Sequence, residues 1–342
     1  MLNLIVAGLG ALLPTIFYIS FIWWLDRYEK EPGWLLALAF LWGVIPAALA
    51  SVIVEVIFDL SLAFLGGEGL FATLVSVSFG TPIIEEAAKG VALLGLALIF
   101  RREFDGVLDG IVYGAMIGFG FAFTENLFAY FLPILIEEGL DAGLQNIFLR
   151  TIVFGFNHAF WTATTGAAVG YARLSRKLAP RLLVPFGGWL LAVTLHALHN
   201  AGASLAEQTL CLSLFLSLGL HWGGLFLLLA VVALILRQES QWIRRGLVEE
   251  VRRGDLTPQE FQLLSSASQR QRVRWRAWRL GGRQAYRAVG SYYQCATELA
   301  FKKQHLRSLG DEGGNLEEVR RLRQALAGCR ALAHPWLWPE DA

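Results

Sequence analysis

The chain has 342 residues, 55% of them hydrophobic and 17% charged, with a mean hydropathy of +0.50. Soluble domains carry about a quarter charged residues, so this composition excludes an ordinary soluble domain and points to a multi-pass membrane protein. The net charge of +1 hides an asymmetry: residues 1–236 carry 10 Lys/Arg against 16 Asp/Glu, and residues 237–342 carry 19 against 12.

An all-α fold follows, with a membrane-embedded helix bundle over 1–236 and a basic, helical cytoplasmic tail over 237–342. Residues 4–24 form a first span that ends on Trp23 and Trp24, a pair suited to the interface. This segment lacks the positive start of a cleaved signal peptide and reads as a retained span. A polar loop, Asp26-Arg27-Tyr28-Glu29-Lys30-Glu31-Pro32, leads to a second span at 34–58, kinked at Pro46 and carrying Glu55 near its end. The linker 59–69 contains Gly66, Gly67 and Gly69. Residues 70–100 would reach roughly 46 Å as one helix, against about 30 Å of hydrocarbon, and are too few for two crossings. One long helix, bent at Pro82, is expected.

Arg101 and Arg102 close that helix, and a span at 107–131 follows with a small-residue seam of Gly114, Gly118 and Ala122. The acidic segment 132–145 reads as a loop. Spans at 147–172, 182–203 and 212–236 complete a count of seven, separated by a basic loop at 173–181 that contains Arg173, Arg176, Lys177 and Arg181. Basic segments then fall on one side, which puts the N-terminus outside and the tail in the cytoplasm. In the tail, Thr257, Pro258 and Glu260 read as a helix start. Arg270, Arg272, Arg274, Arg276 and Arg279 with Trp275 and Trp278 form a basic aromatic strip, read either as a contact for anionic lipid or a cytoplasmic partner or as a solvated helix face. No nucleic-acid motif accompanies it, and no nucleic-acid partner is expected. Cys211, Cys295 and Cys329 are scattered and odd in number, and support neither a disulfide framework nor a zinc knuckle.

The spans hold an unusual set of polar groups: Glu85, Glu86, Lys89, Glu125, Asn126, His158, His196, His199, Asn200 and His221. Such groups are costly in lipid and mark function by default. Glu85 and Lys89, four apart, share a helix face, as do His196 and Asn200. His158 shares its face with Thr162 and Gly166. Lys89 reads as a charge partner and His221 as structural. Asp105, Asp109 and Tyr113 read as packing or gating residues. A carboxylate can activate water, a second acid or imidazole can protonate a leaving amine, and Asn or His donors can stabilise an oxyanion. That set suits a peptide hydrolase acting on a membrane protein or peptide within the bilayer. Two Glu and two His could instead hold zinc; there is no HExxH. A proton-coupled transporter or a non-enzymatic membrane scaffold are the competing readings, although no inverted repeat is evident.

The motif Glu85-Glu86-Ala87-Ala88-Lys89 resembles the EExxK element of the PrsW family of intramembrane proteases, relatives of the CAAX-prenyl endopeptidases and bacteriocin-processing enzymes. Asp109 to Gly114, Gly118 to Ala122 with Glu125-Asn126, His158 with Ala159 and Trp161, and His196-Ala197-Leu198-His199-Asn200 resemble its later blocks, in order. The first loop, Asp26-Arg27-Tyr28 with Glu31-Pro32, is similar too. The resemblance implies that Glu85 activates water with help from His158, that His196 and Asn200 form an oxyanion site, and that Glu86 and Glu125 complete the cavity. It leaves metal-dependent chemistry (with Glu85, Glu86, His158 and His196 as ligands) and glutamate chemistry both open.

Overall fold

The structure is a computed structural model. It describes all residues except Arg27, Glu29, Gly67, Glu68, Arg102, Arg176, Glu312, Gly313 and 339–342. The expectations placed on Arg27, Glu29, Gly67, Arg102 and Arg176 fall outside the described residues. Every described element is helical. Five helices are long and apolar enough to cross a membrane: α1 (Leu2–Leu25), α2 (Gly33–Phe64), α4 (Val107–Glu137), α7 (Leu178–Ser204) and α8 (Leu212–Arg252). A count of seven would need α3 (69–99) and α6 (Asn157–Arg173) as well, the helices that carry the buried Glu85, Glu86, Lys89 and His158. The chain divides into two compact units: Met1–Leu25 with Glu31–Val231, and Asp26–Lys30 with Val232–Ala342.

In the first unit, helices are continuous but locally wide. Turns of π type occupy Gly43–Ala47 in α2, Ser76–Gly80 in α3, Asn126–Phe131 in α4 and Leu149–Val153 in α5 (140–153). Such turns are rare and cluster at functional sites, because one extra residue rotates every side chain beyond it. Pro46 lies inside the first of them. Pro82 stands in the first turn of the segment Thr81–Ile99, directly after the second. The proline leaves a preceding carbonyl without its usual donor, and the wide turn lies directly before it.

Two expectations need correction. The acidic segment 132–145 is not a loop: α4 runs to Glu137 and α5 begins at Leu140, with Gly139 turning the chain at a φ of 93°. The span expected over 147–172 is broken at Phe154–Phe156, so Arg150 lies on α5 and His158 in the first turn of α6. The helix of the last span runs on beyond Leu236, to Arg252.

The small-residue seam of α4 is present, and its partner is α6. A Cβ built on Gly114 would lie 2.6 Å from the Thr162 carbonyl oxygen, and one on Gly118 would lie 2.4 Å from that of His158. Only glycine lets these backbones meet, and the contact fixes the height of His158 against α4.

The second unit packs α9 (Pro258–Leu264), α10 (Ala267–Leu309) and α11 (Asn315–Leu337) with the end of α8 around Ile243, Leu247, Leu263, Val289, Leu322 and Leu326. The helix start read at Thr257 is a full capping box: Thr257 Oγ1 accepts from Glu260 N, and Glu260 Oε2 accepts from Thr257 N. The basic strip is narrower than expected. Arg270 turns inward to donate to the Leu264 carbonyl and the Thr297 hydroxyl, and Arg274 lies over the Tyr286 ring. Burial pulls the Arg270 guanidinium down to about 10. Cys295 on α10 and Cys329 on α11 lie side by side, their Cα atoms 6.9 Å apart, a proximity that the cysteine pattern did not suggest.

Candidate active site

The EExxK motif lies one turn past the wide turn of α3. Helical spacing sends Glu85 and Lys89 along one face, and Glu86, three residues before Lys89, stays within its reach. Lys89 is fully buried and its Nζ donates to Glu85 Oε2 (3.0 Å), Glu86 Oε1 (2.8 Å) and His158 Nδ1 (3.0 Å). The Phe121 ring centroid lies 3.8 Å from the same nitrogen. Lys89 is therefore more than the charge partner of one glutamate: it joins three groups.

Each imidazole is oriented by a carboxylate. His158 Nε2 lies 2.9 Å from Glu125 Oε2, and a carboxylate only accepts. That assignment puts the proton on Nε2 and leaves the Nδ1 lone pair facing Lys89 and, at 3.8 Å, Glu85 Oε2. His196 Nδ1 lies 3.2 Å from Glu86 Oε1, which leaves its Nε2 lone pair free of that bond. Trp161 stacks on the His196 ring at 3.9 Å between centroids and donates its indole N–H to His221. Thr162, one turn beyond His158, donates to Glu86 Oε2.

A cavity of about 630 Å³ opens onto this group; Glu85, His158 and His196 line it, with Glu125, Asn126 and Asn200 farther along the wall. Glu86 and Lys89 are not among the lining residues, so the two glutamates differ in access. Glu85, Glu86, His158 and His196, all buried, each bring one ligand atom within 4.8 Å of the others. Glu125 joins this group through His158. Asn200 lines the cavity, and its Nδ2 donates to the Val77 carbonyl at 2.9 Å, a partner that motif spacing could not supply. His199 lines the cavity too, held by Ser217 and Asn157. His221 bonds Trp161 and the Ser217 carbonyl, in keeping with a structural role. Asp109 caps its own helix through the Asp105 and Gly106 N–H groups, and Tyr113 bonds Glu31.

Sequence reasoning missed Arg150. Its guanidinium donates to Glu125 Oε2 and to Asn126 Oδ1, both at 2.6 Å, and lies over the Tyr130 ring. The signal was available: an arginine inside an apolar segment deserves the suspicion given to a glutamate there. What hid it was the assumption of one continuous helix over 147–172.

Two carboxylates and two imidazoles are the ligand types of zinc sites, and here each imidazole has one nitrogen held by a carboxylate and the other carrying a lone pair. The residues fit a divalent cation, with the Lys89 ammonium sharing three of the four ligands.

Comparison with known proteins agrees with the geometry. A sequence model described as PrsW family intramembrane metalloprotease matches residues 31–242. Among curated proteins, the Protease PrsW of Bacillus subtilis (strain 168) is 29% identical over 175 residues, which is 51% of this chain and 71% of the relative. That of Clostridioides difficile (strain 630) is 29% identical over 191 residues, 56% of this chain and 76% of the relative. No solved structure matches. With the motif blocks, the converging side chains and more than half of the sequence in agreement, this chain belongs to the PrsW family of intramembrane metalloproteases.

Proposed function

We propose that Glu85, Glu86, His158 and His196 form the hydrolytic centre of an intramembrane endopeptidase, and that the cavity beside them takes an unwound stretch of a membrane-associated substrate. One observation carries this reading: four buried acid and imidazole groups from three helices converge at the end of a cavity large enough for a peptide segment. Glu85, the carboxylate that lines the cavity, takes the proton of a water there and returns it to the leaving amine. Glu86, tied to Lys89, His196 and Thr162, holds the group together. His158 is aimed by Glu125, which Arg150 holds in turn. Asn200, once freed from Val77, can donate to a developing oxyanion, whereas His196, stacked on Trp161 with its N–H given to Glu86, serves as a ligand and not as a donor. Glu85, Glu86, His158 and His196 would hold the metal, with zinc the best match to these ligands; when bound it supplies Lewis acidity and a more acidic water. A proton-coupled carrier and a passive scaffold are not favoured, given the family.

A second reading rests on Lys89. Its ammonium already bridges Glu85, Glu86 and His158, the place where a metal would be shared. In that reading Lys89 is the resident cation and Glu85 acts as a general base without metal. The test is cleavage of labelled membrane peptides by the reconstituted protein, wild type against Glu85→Ala, Glu86→Ala and His158→Ala. Cleavage that persists in all three sinks the assignment. Loss on chelation, restored by zinc, favours the metal; indifference to chelator favours Lys89. On the same proposal the tail is cytoplasmic, and exposed Arg272, Trp275, Arg276, Trp278 and Arg279 meet anionic headgroups. Protection of the tail from protease added outside intact cells checks that orientation.

A further inference from the structure

Glu55 has no role in the chemistry above, yet it lines the same cavity. It lies on α2, where its neighbours Val52, Ile53, Val56 and Ile57 are exposed as lipid-facing residues would be. Ser51, one turn earlier on the same face, lines the cavity beside it. Glu55 Oε1 and Ser51 Oγ are both buried and have no hydrogen-bond partner among the described residues. Ser51 is 1% exposed.

Charge makes the case. Two cations serve this region. Lys89 is held by Glu85, Glu86 and His158, and Arg150 by Glu125 and Asn126. Neither forms an ion pair with Glu55. Nor is Glu55 part of the group that could share a metal ion. A carboxylate left unneutralised in an apolar helix marks function by default. Its unpaired oxygen, next to an unpaired hydroxyl on a cavity wall, suits a partner that donates several hydrogen bonds and carries positive charge. Lysine and arginine side chains have that chemistry.

We infer that Glu55 is a specificity-determining residue which, with Ser51, receives a lysine or arginine of the substrate close to the scissile bond. This rests on the endopeptidase reading for the word substrate, and on the cavity geometry alone for the ligand. Basic residues are abundant beside the ends of transmembrane helices, so a membrane-associated substrate can supply one.

The test uses the full chain in proteoliposomes and paired fluorescent membrane peptides that differ only in Lys, Gln or Glu at positions flanking the cleavage point. Wild type should favour the Lys peptide over the Gln peptide by about tenfold in kcat/KM, as a charge-assisted hydrogen bond predicts. Glu55→Gln should bring that ratio close to one, and Glu55→Lys should shift preference to the Glu peptide. A ratio unchanged in Glu55→Gln, no preference in the wild type, or equal loss of all peptides in Glu55→Gln overturns the inference. Binding of the same peptides, read by fluorescence anisotropy, is independent of turnover. A wild type that binds the Lys peptide selectively through Glu55 but cuts nothing would support this site and sink the hydrolase reading.

Discussion

Two clusters of charge, one in each unit, are constructed differently. In the tail unit, Glu249 and Glu250 meet Lys303 and Arg323 at 2.6–3.0 Å, and Glu260 takes a two-pronged bond from Arg330 at 2.6 and 2.9 Å. These three carboxylates are matched by three cations, Lys303 and Arg323 being shared between Glu249 and Glu250. In the membrane unit, among the described residues, Lys89 and Arg150 serve Glu85, Glu86 and Glu125, with two imidazoles interposed, and neither pairs with Glu55. Access to solvent does not distinguish the two places, for a cavity of about 590 Å³ adjoins Glu250, Arg323 and Arg330 as well. Charge balance does. A matched network holds helices together, whereas an excess of carboxylate with oriented imidazoles can bind a cation or take a proton. Burial of charge is therefore weak evidence of function until its partners are counted.

Four perturbations probe this contrast, the largest first. Glu85→Gln should lower kcat for peptide cleavage by about 10³ with helix content unchanged by circular dichroism, as loss of a general base does. A fall of less than tenfold would make the group structural, like the tail's. Lys303→Met leaves Glu250, which is fully buried, without one of its cations, and should destabilise the tail by about 3 kcal/mol in denaturant unfolding. If stability is unchanged, Arg323 alone balances the site and the matched-pair description is wrong. Arg150→Met releases Glu125 and so frees His158 to rotate; kcat should drop about 10- to 100-fold and the pH–rate profile should move, with partial rescue by Arg150→Lys. A uniform loss without a moved profile would make Arg150 a packing residue. The smallest effect concerns Glu260. Its burial pushes the carboxyl up, but Arg330 and the Thr257 N–H outweigh this and hold it below the usual range. A lowered folded value means stabilisation present above the unfolded value of about 4.3 and lost as pH falls through the folded one. Acid unfolding monitored by hydrogen exchange should lose that component in Arg330→Leu, by about 1 kcal/mol.

Much of the fold was legible because lipid writes its demands along the chain. Long apolar runs had to be helices, and Pro82 had to disturb one of them. The seam of Gly114 and Gly118 announced a close helix contact, though not with which helix. The failures share one cause. The acidic segment 132–145 and the apolar run 147–172 were divided by hydropathy, but helix ends depend on turns that hydropathy does not register. Phe154–Phe156 interrupts an apolar stretch, and Glu137 ends a helix inside a polar one. Arg150 was lost with that boundary. Arg270 was placed on a surface strip because spacing in a tail helix says which residues share a face, not which face is buried.

Within the membrane unit, sequence alone determined the chemistry present: two adjacent glutamates with a lysine, further acids and imidazoles, and the family that carries them. Those are properties of residue type and short-range spacing, which a helix preserves at 3.6 residues per turn. Tertiary structure decided how they are used. Lys89 became the shared cation of Glu85, Glu86 and His158, Glu85 came to line the cavity while Glu86 did not, and Glu55 was left unpaired on its wall. The physical reason is that hydrogen bonds reach about 3 Å, while residues 69 or 110 positions apart meet only through helix packing. A wide turn precedes the glutamates on α3, and the glycine seam of α4 sets the height of His158 on α6, so packing decides which polar atoms meet.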